Sequence, residues 1–185
     1  MISKEDLSTL RSKNYQLIFN IGVPSSGKKT QCEKISNEFK YSKLSMQELI
    51  DKEIQSNTHI GKEAKKYIDK NEQINTEILT SILISNIIES HELSIMIEGF
   101  PNTLQEALYF EETVIPITKI IQYNAKEEDC FYRYEEAKKD KKLTKEEFSK
   151  KYNDVLKNVN EINAFYSPFS IIHIIDASKS IAEVN

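Results

Sequence analysis

Glycine and arginine are both scarce in this chain of 185 residues. Arginine occurs at two positions, Arg11 and Arg133, although lysine is abundant. Arginine can therefore supply very few of the chain's contacts to anions. Glycine occurs at four positions, namely Gly22, Gly27, Gly61 and Gly99. Because glycine is so rare, the short interval between the first two is informative.

Other absences narrow the classes of protein. The two cysteines, Cys32 and Cys130, are far apart and lack metal-site spacing, so we predict two buried thiols in a reducing compartment, with a disulfide left open. The charged first fourteen residues do not resemble a secretory signal, and no apolar run approaches membrane length. The net charge of −4 provides no basic field. We therefore expect a cytoplasmic location, with neither nucleic acid nor membrane as a partner.

The first two glycines belong to the stretch GVPSSGKKT, residues 22–30. An apolar run precedes it and a helical pattern follows it, which is the setting of a phosphate-binding loop. Unpaired N–H groups of the loop and of the first helical turn would converge on a phosphate. The predicted binding residues are Gly22, Ser25, Ser26, Gly27, Lys28, Lys29 and Thr30. A simple strand-to-helix turn remains the alternative, because Lys29 stands where the usual motif has a hydroxyl residue.

Short apolar runs alternate with helical patterns along the whole chain. The runs occupy residues 16–21, 41–45, 93–97, 117–123 and 171–175. This alternation predicts an α/β fold with a parallel sheet buried on both faces. Capping boxes are predicted at Ser45 with Glu48 and at Thr144 with Glu147. The helices of residues 45–89 exceed a simple crossover, so we expect a flap beside the ligand site.

Five segments resemble the nucleoside monophosphate kinases of the adenylate and UMP-CMP kinase kind. They are GVPSSGKKTQC, LSMQELI, IGKEAKKYIDK with INTEIL, IMIEGFPNTLQEA and IIDAS. The resemblance implies a P-loop three-layer α/β/α domain over residues 1–185, with a five-stranded parallel sheet in the order 2-3-1-4-5. It also implies a helical monophosphate-binding flap at about residues 45–75 and a short lid at about 138–143. The implied ligands are ATP, Mg²⁺ and a nucleoside monophosphate.

The resemblance also assigns roles to individual residues. Lys28, Arg133 and Lys151 are the implied catalytic cations. Asp176 and Ala177 lie where the family binds adenine, and Glu98 corresponds to the carboxylate that holds magnesium through water. The monophosphate side corresponds to Met46, Asp51, Gly99, Asn102 and Glu106.

Several family arginines are replaced in this chain. Asp51, Asn102 and Ala137 stand at three such positions, and Lys151 stands at a fourth. Passive replacement of arginine by lysine would not produce an aspartate, an asparagine and an alanine. We therefore expect weak or lost phosphoryl transfer, with a fully active kinase that uses lysines as the alternative. The residues at the base-reading positions, Met46 and Glu106, match no member well and do not predict the base.

The final residues suggest a further expectation. A helical pattern begins at Ile181 and is cut short by the end of the sequence. We accordingly expect that the chain is a domain of a larger protein or a scaffold within a larger assembly.

Overall fold

A central parallel sheet organises the computed structural model, which describes residues 3–137 and 143–178. Its five strands lie in the order β2-β3-β1-β4-β5, and all four pairings are parallel. The strands are β1 (Gln16–Gly22), β2 (Ser42–Ser45), β3 (Ser94–Glu98), β4 (Ile120–Asn124) and β5 (Ile172–Asp176). The predicted fold class and strand order are confirmed.

Helices cover both faces of this sheet. They are α1 (Lys4–Ser12), α2 (Lys28–Phe39), α3 (Met46–Gln55), α4 (His59–Asp69), α5 (Thr76–Glu89), α6 (Leu104–Thr113), α7 (Glu127–Ala137) and α8 (Lys145–Tyr166), with a 3₁₀ turn at Ser167–Phe169. Strand β1 is buried along all but its first residue, because it lies in the middle of the sheet. Residues 138–142 of the predicted lid, and the helix predicted from Ile181, lie outside the described ranges.

Strand β4 begins at Ile120, well after the start of its predicted run at Ile117, whereas the other strands begin within one residue of theirs. Ile117 is buried in the core, but pairing of β4 with β1 begins only at Ile120 opposite Phe19. The backbone N–H of Ile117 donates instead to the Glu111 carboxylate at 2.8 Å. Burial and strand pairing are therefore separate properties of this run, and apolar periodicity detects only burial.

The two predicted capping boxes have different outcomes. Thr144 and Glu147 form theirs, with backbone-to-side-chain distances of 2.8 and 3.2 Å. The box predicted at Ser45 is wrong. The Ser45 hydroxyl donates to the Glu98 carboxylate at 3.2 Å, because Ser45 and Glu98 lie opposite each other in β2 and β3. The carboxylate of Glu48 forms an ion pair with Lys29 instead.

The prediction that both thiols are buried is confirmed. Cys32 and Cys130 are both buried and neither forms a disulfide. Burial raises the pKa of each thiol to about 11, because a thiolate is poorly solvated in these surroundings. Among the described helices, none is long and apolar enough to cross a membrane.

Helices α3 and α4 form a hairpin that depends on one glycine. The Gly61 N–H donates to the Thr58 side chain at 3.0 Å, and Thr58 in turn donates to the Glu53 carboxylate at 2.6 Å. A methyl group at position 61 would collide with the Glu53 carbonyl, because the two helices are in close backbone contact there.

Replacing this glycine tests the packing of the hairpin. We expect Gly61→Ala to lower the free energy of unfolding by about 2 kcal/mol or more, since backbone cannot move aside as a side chain can. Lys62→Ala, at the exposed next position, should change it by less than about 0.5 kcal/mol. Urea unfolding of the two variants measures the difference, and equal stabilities would contradict the close helix contact.

Candidate nucleotide site

The loop after β1 has the backbone of an anion-binding turn. Gly27 has a φ of +88° and Ser25 a φ of +58°, both in the left-handed region. A methyl group on Gly22 would lie 2.6 Å from the Tyr123 carbonyl oxygen, so glycine is needed there for close approach. Ser25 adopts its left-handed conformation without being glycine, at some cost in backbone energy.

Polar groups of this loop are available to a ligand. Helix α2 begins at Lys28, and its N-cap residue, Gly27, has no side chain that could cap the N–H groups of the first turn. The buried Ser26 hydroxyl has no hydrogen-bond partner in the described part of the chain. A buried hydroxyl without a partner is costly, and a phosphate oxygen would satisfy it together with the first-turn N–H groups. The residues present therefore fit the phosphates of ATP. Thr30, one turn further on, is exposed.

Two of the three predicted cations, Lys28 and Arg133, contact this loop, and Lys151 acts on Lys28 through its charge. The Lys28 ammonium donates to the Val23 carbonyl at 3.3 Å. Burial lowers the pKa of Lys28, while the charge of Glu98 opposes that shift and the charge of Lys151 adds to it. Arg133 donates to the carbonyls of Ser26 at 3.3 Å and Ser178 at 3.4 Å. Its guanidinium thus connects the phosphate loop with the turn after β5.

Glu98 lies where β3 ends, opposite Asn20 in β1. Its carboxylate accepts the Ser45 hydrogen bond and remains partly exposed. The described residues contain no group of three histidine, cysteine or acidic side chains suited to a metal ion. Magnesium is usually bound by one or two carboxylates, by substrate phosphates and by water, so Glu98 fits a water-mediated contact to Mg²⁺.

A groove of about 370 Å³ lies beyond the ends of β4 and β5. It is lined in part by Val23, Tyr152, Leu156 and Asp176. The Asp176 carboxylate accepts from the Ser178 N–H at 3.0 Å, and the N–H of buried Ala177 donates to the Asn124 carbonyl at 2.6 Å. The groove therefore adjoins the phosphate loop and has both apolar and polar walls, as a base-binding groove requires.

The turn after β3 packs against the start of α3. Met46 is buried, and a methyl group on Gly99, whose φ is +82°, would lie 3.4 Å from the Met46 Cβ. The Asn102 amide donates to the Gly99 carbonyl at 2.8 Å, and the Asn102 N–H donates to the Glu106 carboxylate at 2.7 Å. Burial raises the pKa of Glu106, although hydrogen bonds from Asn102 and Thr103 oppose the shift. Asn102 thus stabilises its own turn.

Asp51 lies on the exposed face of α3. Its carboxylate accepts from the Gln47 side chain at 3.1 Å, one helical turn away. The two positions on the monophosphate side at which the resemblance places arginines therefore carry an anion and a neutral amide, and each is hydrogen-bonded within its own segment. No positive charge comes from either one.

The structure also shows a contact that sequence reasoning missed. The Lys29 ammonium lies 2.9 Å from the Glu48 carboxylate and so joins the first turns of α2 and α3. Lys29 was predicted only as part of the phosphate loop, and Glu48 only as a capping residue. The charges of the two residues were the available signal, but their proximity depends on how the two helices pack.

Comparison with known proteins agrees with this geometry. The family model for adenylate kinase matches residues 20–171. Adenylate kinase isoenzyme 1 of Gallus gallus is 27% identical over 183 residues, covering 96% of this chain and 94% of its own length. An adenylate kinase of Campylobacter lari is 26% identical over 175 residues, covering 91% and 92%. Adenylate kinase 1 of Schistosoma mansoni is 33% identical over 115 residues, covering 61% and 58%. The chain therefore belongs to the adenylate kinase family.

Proposed function

We propose that this protein binds Mg-ATP on the loop of residues 22–30 and transfers the γ-phosphoryl group only slowly to a nucleoside monophosphate. The observation that carries the proposal is an asymmetry between the two sides of the site. The ATP side has an available loop with cations around it, whereas the acceptor side has Asp51 and Asn102 where the family uses arginines.

On the ATP side, each residue has a definite task. The loop N–H groups and the Ser26 hydroxyl bind phosphate oxygens, and Lys28 neutralises the outer phosphates. Arg133 and Lys151 add positive charge, and Glu98 holds water on the metal. Mg²⁺ supplies further neutralisation of the phosphate charge. Asp176 and Ala177 form one end of the groove proposed for the base.

On the acceptor side, the electrostatics oppose binding. A nucleoside monophosphate carries close to two negative charges at neutral pH, and the Asp51 carboxylate repels it. Asn102 can donate a hydrogen bond, but its amide is engaged by the Gly99 carbonyl. A bidentate arginine would both neutralise and orient the phosphate, which neither residue does. Met46, Gly99 and Glu106 remain to bind the sugar and base.

One observation favours the alternative, a fully active kinase that uses lysines. The ammonium of Lys29 reaches α3 on the acceptor side, and Lys151 occupies a position of a family arginine. Lysine supplies charge but lacks the planar fork that grips a phosphate at two points. We therefore expect lysines to recover part of the lost function.

Calorimetric titration distinguishes the impaired kinase that we propose from the fully active, lysine-based kinase. We expect Mg-ATP to bind at least about tenfold more tightly than AMP, UMP or CMP, because the ATP side keeps its charge-assisted hydrogen bonds. Equal affinity for ATP and one monophosphate would instead support the fully active kinase. Undetectable Mg-ATP binding would contradict the function assigned to the loop.

A further inference from the structure

Lys29 occupies a special position in the site. It is the second residue of α2, directly after Lys28, yet its side chain extends away from the loop to the first turn of α3. The ammonium therefore lies between the helix that begins at the phosphate loop and the helix that carries Met46 and Asp51. An acceptor phosphate that meets the ATP phosphates in line would approach the phosphate loop from the side of α3.

One carboxylate contacts this ammonium, and two others act on it through their charge. Glu48 lies within hydrogen-bond distance, and the charges of Glu33 and Glu98 also act on Lys29. Together they hold the pKa of Lys29 above its ordinary value, chiefly through the hydrogen bond and charge of Glu48. Lys29 therefore carries its positive charge at neutral pH.

The ion pair of Lys29 with Glu48 is exposed and easily exchanged. The side chains of Lys29 and Glu48 are 57% and 55% exposed, respectively. Exposed pairs of this kind contribute little, because solvent and salt screen them. A phosphate dianion attracts the ammonium more strongly than a single carboxylate does, so it can take the place of Glu48 without a large cost.

The neighbouring lysines are directed elsewhere. Lys52, also on α3, donates to Asn86 at 3.0 Å and Glu89 at 3.3 Å. The Lys43 ammonium lies 2.9 Å from the Glu33 carboxylate. Lys29, by contrast, joins the loop helix α2 to α3 through its ion pair with Glu48.

We propose that Lys29 binds the phosphate of the acceptor monophosphate, and that Glu48 holds the lysine beside that position until the phosphate displaces it. The proposal rests on the proposed function and identifies the charge that replaces part of the missing arginine pair. Lys29 is accordingly a substrate-binding residue through its side chain as well as a loop residue through its backbone.

Calorimetric titrations of AMP, adenosine and Mg-ATP test this assignment in the full chain. We expect Lys29→Met to weaken AMP binding about five- to tenfold at low salt, as loss of one charge-assisted contact predicts, and 1 M NaCl to reduce the difference. Adenosine lacks the phosphate, so its affinity should not change. Mg-ATP affinity should change less than AMP affinity.

Two further variants serve as comparisons. Glu48→Gln should tighten AMP binding about two- to threefold, because it removes the carboxylate that competes for Lys29. Lys52→Met, which removes a lysine from the same helix, should leave AMP affinity unchanged.

Several outcomes would overturn the assignment. They are unchanged AMP affinity in Lys29→Met, equal weakening of AMP and adenosine, equal weakening of AMP and ATP, and weaker AMP binding in Glu48→Gln. The last would mean that the ion pair merely fixes α3. Undetectable binding of AMP, UMP and CMP alike to the unmodified protein, alongside intact Mg-ATP binding, would also overturn it. Failure of Mg-ATP binding alone would instead refute the proposed function, because the AMP and adenosine titrations assess Lys29 separately.

Discussion

Lys28→Ala should remove most of the thermal stabilisation that Mg-ATP gives this protein. A ligand present at 100 times its dissociation constant stabilises the folded state by about 2.7 kcal/mol. The Lys28 ammonium is held beside the loop by the Val23 carbonyl, and burial makes its charge costly unless an anion is near. Removing the Lys28 ammonium should therefore weaken ATP binding and slightly raise the stability of the ligand-free protein.

Thermal melts with and without Mg-ATP measure this effect. Lys119→Ala is the matched control, because Lys119 is exposed and lies just before β4, at the opposite end of the parallel strands from the loop. Its ATP-dependent shift should equal that of the unmodified protein. A full shift in Lys28→Ala would show that ATP binds without the loop lysine.

The double variant Asp51→Arg with Asn102→Arg should strengthen monophosphate binding more than the two single changes predict. Each arginine adds about 1.5–3 kcal/mol if it forms charge-assisted hydrogen bonds to the phosphate, or roughly 10- to 150-fold in affinity. Because both would bind the same phosphate, their effects should couple. Calorimetry with AMP, UMP and CMP measures the affinities, and turnover should rise with them.

Two single substitutions separate the effect of charge on phosphate binding from the effect of bidentate hydrogen bonds. Asp51→Asn removes the repulsion without adding a donor fork, and it should improve binding only a few-fold. Asn102→Ala removes the amide that donates to Gly99, and it reports the cost of losing that hydrogen bond, about 1 kcal/mol of stability. If the double variant binds no better than Asp51→Asn, the missing arginines are not what limits the acceptor side.

Most of the fold could be predicted from the sequence, because its elements are local. Buried strands appear as short apolar runs, and the Thr144 cap follows from hydroxyl and carboxylate spacing within one turn. Ile117 shows the limit of such patterns. It is as apolar as the strand that follows, but strand pairing begins only at Ile120, and the Ile117 N–H donates to the Glu111 carboxylate.

The candidate site was predictable where the backbone determines it and not where distant side chains meet. The loop glycines mark positions of close approach or left-handed conformation, as at Gly22 and Gly27. Ser45 was misassigned because its side chain is turned toward its neighbour across the sheet, Glu98, to which its hydroxyl donates. The contact of Lys29 with Glu48 depends on the packing of α2 beside α3, which neither segment specifies alone. The roles of these side chains stay predictions, as does the cytoplasmic location.

The most direct test of the weakened acceptor side is turnover by the unmodified protein. A coupled assay would follow ADP formation from saturating Mg-ATP with AMP, UMP or CMP, each at millimolar concentration. Because we propose that Asp51 and Asn102 face the acceptor phosphate, we expect turnover below about 1 s⁻¹ for every monophosphate, under conditions where Mg-ATP binding is measurable. Turnover within the ~1–10³ s⁻¹ that is usual for enzymes would contradict the account and would support the fully active, lysine-based kinase.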